Sequence, residues 1–380
     1  MYKMKTLYIA NIRIPTEMAH GLQVIKMCEA FAKNGVEVDL VVPKRFGISD
    51  IIKKDPFEYY KVDKIFKIKK LFCLDLTPLN RFLGPVSFLV QAVSFAVSVF
   101  FYAAFKRVDI VYSRDRFSSL FIAPIKRNVV LEIHQTHKSL FKFILNRARK
   151  LVAITEGLKK YLMKRGINEG KIIIAPDGID LDDFRIEKSQ EECRTELGLP
   201  QNKKIIHYTG HLYKWKGVEN LAFASKFLDK DDLIVIVGGI KWYLSDFKKF
   251  VHKNDLKNVL ILGHKDYSLI PYYLKSADCL VLTGTKESEI SREHTSPMKM
   301  FEYMASSRPI VASELPSFKE VLNDNNCIFV EPDNPEAIAI GIKKALNDSN
   351  LSEKISNQAY QDVQKYAWDN RAKKILEFIK

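Results

Sequence analysis

The 380-residue sequence predicts an α/β fold of two doubly wound parallel-sheet domains facing a central cleft. Two observations carry that expectation. Short, near-continuously apolar, β-branched runs recur along the chain, with longer segments of helical periodicity between them. That is the pattern of parallel strands covered on both faces. The runs also fall into two sets of six on either side of a polar stretch, and the chain is too long for one ordinary domain. Composition agrees: 47% hydrophobic and 28% charged residues exclude a disordered or fibrous chain.

The first set of strands is expected at Leu7–Ala10, Val36–Val42, Asp109–Tyr112, Val129–Ile133, Leu151–Ile154 and Ile172–Ala175. The second is expected at Ile205–Tyr208, Leu233–Val237, Val259–Leu262, Cys279–Leu282, Ile310–Ala312 and Cys327–Val330. Helical spacing shows in Leu22, Ile25, Cys28 and Ala32, and again in Leu221, Ala224, Phe227 and Leu228. The turn pair Asp177-Gly178 and the polar stretch Asp182–Arg194 separate the sets. Residues 1–178 are therefore assigned to the first domain and 179–362 to the second. After Val330 the pattern is helical to the end. Sheets of this kind bind ligands beyond the carboxyl ends of their strands, which puts the functional cleft between the domains.

Charge is divided unevenly. The chain has 60 Lys and Arg against 45 Asp and Glu, a net of +15. Residues 1–180 hold 31 basic and 16 acidic side chains, whereas residues 181–380 hold 29 of each. A half this basic points to an anionic partner or to solubility alone. The basic residues cluster at Lys61, Lys64, Lys67, Lys69 and Lys70, at Arg147, Arg149 and Lys150, and at Lys159, Lys160, Lys164 and Arg165. Nucleic acid would call for interleaved aromatics or a recognition helix, and only Phe66 and Phe72 answer. No nucleic-acid partner is expected.

An anionic bilayer asks only for charge beside an apolar element, which the uncharged segment Gly84–Phe105 supplies. That segment is long enough to span a bilayer. However, Ser87, Gln91, Ser94, Ser98 and Tyr102 form a weakly polar stripe at helical spacing, so a buried or surface-docked helix is expected. The cysteines Cys28, Cys73, Cys193, Cys279 and Cys327 lie far apart, as reduced thiols do. No signal-peptide core precedes the first strand, so the expected location is cytoplasmic.

Four motifs could carry chemistry. In His294-Thr295-Ser296-Pro297-Met298-Lys299-Met300-Phe301-Glu302, Ser296 suits an N-cap and Pro297 the first helical position. The backbone N–H groups of Met298, Lys299 and Met300 would then be free to cradle an anion. A capped helix with a surface lysine is the plain alternative. Thr209-Gly210-His211-Leu212-Tyr213-Lys214-Trp215-Lys216-Gly217 follows a strand and could bring Lys214 and Lys216 to a phosphate, although it lacks the P-loop spacing. Gly21, after His20, lies between the first strand and the first helix, where a glycine lets substrate approach the backbone. Glu132-x-His134-x-x-His137 could bind zinc, place a histidine on a substrate hydroxyl, or be merely structural.

In combination these stretches resemble a retaining GT-B glycosyltransferase of family 4. The resemblance runs through Leu151–Lys159, Lys171–Asp180, Gly210-His211-Leu212, Lys216-Gly217, Ser296–Ala305 and Arg308–Ser313. It implies two Rossmann-like domains, the second holding a nucleotide-sugar donor and the first an acceptor, with the last helix, about 363–380, crossing back onto the first. By the same resemblance Glu302 matches the second glutamate of a Glu-x7-Glu motif, which binds the donor ribose. Lys216 matches the lysine on the donor diphosphate, Gly21 lies in the glycine loop near the phosphates, and His134 is the active-site histidine near the donor sugar. The donor-binding set implied is Gly21, Gly210, His211, Lys214, His294, Thr295, Ser296, Pro297, Met298 and Lys299. His294 stands where the motif has its first glutamate, and His211 where an arginine is usual; Lys214 or Lys299 could replace that cation.

Breaking the anomeric bond develops charge on the leaving diphosphate, which Lys216, Lys299 and a helix N-terminus would stabilise. No metal or other cofactor is then expected. The function expected is transfer from a UDP-sugar to a lipid-linked or surface-polysaccharide acceptor, by a protein peripheral to the cytoplasmic membrane face. The alternative is a catalytically silent sugar-nucleotide-binding or scaffold protein of the same fold.

Overall fold

The structure, a computed structural model, describes residues 3–46, 50–136 and 142–380. The chain divides into two compact units, Met1–Asp177 with Trp368–Lys380, and Gly178–Ala367. In the first unit the strands are β1 (Lys5–Ile9), β2 (Glu37–Pro43), β3 (Lys67–Leu71), β4 (Ile110–Ser113), β5 (Val129–Ile133), β6 (Lys150–Ala153) and β7 (Ile172–Ile174). They form one sheet in the order β3-β2-β1-β4-β5-β6-β7, with every pairing parallel. Leu7 of β1 lies opposite Asp39 on one side and Val111 on the other.

The second unit contains β8 (Lys204–Thr209), β9 (Asp232–Val237), β10 (Val259–Gly263), β11 (Cys279–Leu282), β12 (Ile310–Ser313) and β13 (Ile328–Val330). Its order, β10-β9-β8-β11-β12-β13, repeats the first, and again all pairs are parallel. The fold class is the one expected from the sequence, with one strand more. The seventh strand of the first sheet is β3, Lys-Ile-Lys-Lys-Leu, at the sheet edge. Lysines along an edge block further pairing, and here they hide a strand inside what reads as a basic cluster.

In both sheets the chain order reverses beside the first strand, between β1 and β4 and between β8 and β11. Loops at the carboxyl ends of these four strands diverge there, which opens room for ligands. Each unit has its own apolar core. Leu7, Ile9, Val41, Phe95 and Val111 belong to the first, and Ile206, Tyr208, Ile234 and Val281 to the second. The five cysteines are free and buried.

The helix Pro85–Ala104 is long and apolar enough, by length and composition, to cross a membrane. It docks on the first sheet instead, through Phe95, Val99 and Ala103. Its polar stripe is turned inward. Ser87 and Gln91 are buried, Gln91 Nε2 donates to Asn11 Oδ1 (2.9 Å), and Ser94 Oγ accepts from the Leu74 amide (2.9 Å). The apolar stripe Leu89, Val93, Val97, Phe101 and Phe105, at a spacing of four, is exposed, with Phe101 at 59% and Phe105 at 89%. An amphipathic surface helix ordinarily has the opposite arrangement.

Three helices close the chain: Pro335–Asn347, Ser349–Val363 and Trp368–Ile379. The last lies in the first unit. Its apolar stripe, Trp368, Ala372, Ile375, Leu376 and Ile379, is buried, and Arg371 falls on the same face.

Candidate functional site

In the second unit the chain leaves β8 through Gly210, whose φ of +124° favours glycine. It then forms a tight turn over Lys214–Lys216. Gly217, at φ +66°, ends the turn; a Cβ there would sit 2.9 Å from the Gly284 carbonyl oxygen. The Thr283 hydroxyl donates to the Lys216 carbonyl (2.6 Å), which ties the loop to the end of β11. Lys216 is therefore held by its backbone. Its Nζ lies 4.1 Å from the centroid of the Trp215 ring, and burial lowers its pKa to about 8.

The helix Met298–Ala305 brings up the second cation. Lys299 is buried, and its Nζ stands 3.5 Å from the centroid of the Tyr208 ring. That Nζ has no hydrogen-bond partner among the described residues. Burial, reinforced by Lys216, pushes its pKa well below the usual ammonium value. Gly210 is its neighbour, since a Cβ there would lie 3.9 Å from Lys299 Nζ. A desolvated ammonium that already feels a second cation is poised for an anion.

Glu302 lies one turn further along this helix and accepts a hydrogen bond from the Tyr267 hydroxyl (3.2 Å). Burial raises its carboxyl to about 7, against the lowering effects of Tyr267 and Lys299. His294 ends the preceding helix, Glu289–Glu293, and is buried. Burial lowers its imidazole pKa, which Glu289 and Glu293 oppose. His211 packs its ring on Tyr213, with centroids 5.3 Å apart. Lys214 is exposed at the start of its turn.

The helix start differs from the sequence expectation. Pro297, not Ser296, occupies the N-cap, and no side chain caps the helix. Ser296 lies one residue too early, in the Thr295–Pro297 connection, and is itself buried. The Met300 amide bonds the Pro297 carbonyl (2.9 Å), so the expected anion cradle keeps only the Met298 and Lys299 amides.

The first unit gathers a different chemistry. Gly21 is inside the helix Ala19–Lys33, not ahead of it. A Cβ on Gly21 would come within 2.4 Å of both Thr16 Cγ2 and the Tyr60 hydroxyl. That hydroxyl accepts from the Thr16 amide (2.8 Å) and donates to the Thr16 carbonyl (2.9 Å). Internal packing alone therefore demands the glycine.

Glu132, at the carboxyl end of β5, is fully buried. Its Oε1 accepts from Gln23 Nε2 (2.6 Å) and from Arg371 (3.1 Å), and its Oε2 accepts from the Tyr112 hydroxyl. His134 Nε2 lies 2.6 Å from the same Oε1. Arg114 donates to the Gln23 amide oxygen. Arg371, with His134 and Arg114, holds the Glu132 carboxyl well below its usual range despite burial. Burial and Arg114 lower the His134 imidazole, against the pull of Glu132 and Asp177. Glu132, His134 and Asp177 each offer a ligand atom, all within 4.8 Å of one another. His137, the other histidine of the zinc pattern, lies outside the described residues. With Gln23, Tyr112 and Arg371 already on Glu132, the group is arranged as a hydrogen-bond network more than as a metal cage.

Lys216, Lys299, Glu302 and Gly210 are thus brought together in one unit, and His134 and Gly21 belong to the other. The sequence reading did not reach Arg371, Gln23, Arg114, Tyr112, Tyr208 or Tyr267. One signal was available: Arg371 is a charge on the apolar face of its helix.

Known proteins fit this arrangement. A family model described as Glycosyltransferase Family 4 matches residues 21–183, and one described as Glycosyl transferases group 1 matches residues 189–362. The chain is 31% identical over 224 residues to the uncharacterized glycosyltransferase MJ1607 of Methanocaldococcus jannaschii, covering 56% of this chain and 54% of that protein. It is 24% identical over 209 residues to WcaI of Escherichia coli, named for glycosyl transfer in colanic acid biosynthesis, covering 53% and 50%. The chain spans about half the length of the curated relatives it matches. HepE of Anabaena, solved with UDP and glucose and with UDP-glucose, superimposes with a TM-score of 0.77 at 17% identity, covering 98% of each chain. Two glycosyltransferase models laid end to end over a pair of parallel-sheet units place this chain among the glycosyltransferases of GT-B fold.

Proposed function

We propose that the chain transfers a glycosyl group from a nucleotide-sugar donor, a UDP-sugar, to a lipid-linked or surface-polysaccharide acceptor, with retention of anomeric configuration. The observation that carries this reading is the pair of desolvated lysines, half-buried Lys216 and buried Lys299, at the switch point of the second sheet. In this reading the second unit binds the donor diphosphate, and Glu302 accepts from the donor ribose. The first unit binds the acceptor and contributes His134. The acceptor hydroxyl attacks the anomeric carbon on the face the diphosphate leaves, its proton passes to the departing phosphate oxygen, and no protein nucleophile is needed. As the anomeric bond breaks, charge grows on the diphosphate and the two ammonium groups stabilise it, with no metal required. The UDP and glucose bound by HepE support the donor class, and the naming of WcaI supports a polysaccharide acceptor.

A donor panel tests the reading. Nucleoside diphosphate should be released from a UDP-sugar only when acceptor is present. Nucleotide binding without turnover under any acceptor would identify a catalytically silent binding protein instead. Binding should also depend on pH in a defined direction. The free Lys216 ammonium has a pKa of about 8, and a bound diphosphate raises it, so binding takes up protons. UDP affinity should fall as pH rises through about 8, by up to roughly tenfold per pH unit for one linked proton. Calorimetry in buffers of different ionisation enthalpy reads that uptake, and affinity that is flat from pH 7 to 9 would remove the role given to this lysine.

The same reading places the protein at the cytoplasmic face of a membrane, bound peripherally through the exposed stripe of the helix Pro85–Ala104. Arg81 precedes this helix, and Lys106 and Arg107 follow Phe105. An open depression of about 520 Å3, which includes Lys5, Phe105, Lys106, Arg107, Asp109 and Lys126, adjoins its end. Apolar side chains flanked by cations suit an anionic lipid surface.

A further inference from the structure

We propose that Arg371, carried on the helix Trp368–Ile379, is a positioning residue for His134, acting through the Glu132 carboxylate oxygen that both side chains share. Its catalytic meaning rests on the transfer reading above, which gives His134 its role.

The geometry comes first. Arg371 is buried, and its guanidinium donates to the Pro176 carbonyl (2.7 Å), the Ala175 carbonyl (3.0 Å) and Glu132 Oε1 (3.1 Å). One fork therefore fastens the end of the β7 segment and the carboxylate together. An ionised carboxylate can only accept, so its 2.6 Å contact with His134 requires the proton on Nε2. The lone pair is then left on Nδ1, available to accept a hydrogen bond from a substrate hydroxyl.

Charge decides whether that lone pair stays free. The groups facing the pair are Tyr8 from β1, Gln23 and Cys28 from the helix Ala19–Lys33, Tyr112 from β4, Arg114 just after it, Asp177 beyond β7, and Arg371. Burial pushes Tyr8, Cys28 and Tyr112 well above their usual values, so they stay neutral. What remains is the ionised Glu132, together with Asp177, whose carboxyl burial pushes up, against two arginines. With Arg371 present, Glu132 is compensated and has little need of a cationic imidazole. Without it, the uncompensated carboxylate would draw a proton onto His134 and close the lone pair. A purely structural Arg371 would change stability and leave the imidazole alone.

The test is to follow His134 by long-range proton–nitrogen correlation in the histidine-labelled chain, with its signal assigned by its loss in His134→Gln. The wild type should show the Nε2–H tautomer and titrate below the ordinary imidazole range. Arg371→Met should move that midpoint upward by about one to three pH units. Arg371→Lys keeps the cation and should return the midpoint towards the wild-type value. In turnover assays Arg371→Met should shift the acid limb of the pH profile upward with donor KM unchanged. An Nδ1–H tautomer in the wild type, or an unmoved midpoint in folded Arg371→Met, overturns the proposal. Should Arg371→Met fail to fold, the wild-type tautomer and the Arg371→Lys midpoint decide. A wild-type protein inert with every donor and acceptor would overturn the transfer reading alone, since the resonance readings do not use turnover.

Discussion

Lys216→Met is expected to lower turnover by about 10²–10³-fold, the usual cost of removing one donor that meets developing charge. The loop should keep its shape in this variant. It is tied by backbone, through the Thr283 hydroxyl on the Lys216 carbonyl and the close approach of Gly217 to Gly284. Methionine keeps most of the length of the aliphatic stem, so the change isolates the charge. Lys299→Met should have a comparable effect and a second, opposite consequence. Lys299 Nζ is a buried cation that repels Lys216, so its removal should leave the ligand-free protein as stable as before or more so. Thermal melts with and without UDP separate the two effects: the variant's own melting temperature should hold or rise, while the increment from UDP should collapse. Full turnover in either variant would detach the lysines from the leaving group.

The exposed stripe is expected to decide where the protein resides. Wild-type protein should co-sediment with vesicles containing anionic lipid, and Phe101→Asp with Phe105→Asp should release it. Burying one phenylalanine side chain is worth about 1.5–3 kcal/mol. Even partial insertion of two such rings therefore implies a loss of about 30-fold or more in partitioning. Both positions are largely exposed, so the variant should remain folded. Neutral vesicles or high salt should weaken binding of the wild type by roughly 1 kcal/mol for each engaged Lys or Arg. Partitioning that ignores lipid charge and salt, or survives the double substitution, would remove the membrane from the reading.

Much of this molecule was legible in its residues. The apolar runs are strands because parallel sheets bury both faces, so Val129–Ile133 and Cys279–Leu282 stand where periodicity puts them. What periodicity does not carry is direction. Ser87, Gln91 and Ser94 are correctly read as one stripe of a helix, but only packing shows that Asn11 and the Leu74 amide draw the stripe inward. β3 was missed because an edge strand needs no apolar alternation, and its lysines masked it.

The site divides in the same way. Lys216, Lys299 and Glu302 are local to strand ends and a helix start, where sequence spacing implies position. The Glu132 network is not local, since Gln23, Tyr112 with Arg114, and Arg371 reach it from three segments. Arg371 lies 239 positions from Glu132, and only its place on an apolar helix face hinted at a buried partner.

That long separation also sets an order in time. The helix Trp368–Ile379 belongs to the first unit, yet the ribosome makes it after all of Gly178–Ala367. Until then β5 carries a buried carboxylate without its arginine, and the face later covered by Trp368, Ile375 and Ile379 is open to water. The first unit is begun first and finished last, and the histidine acquires its full surroundings only when this final helix docks.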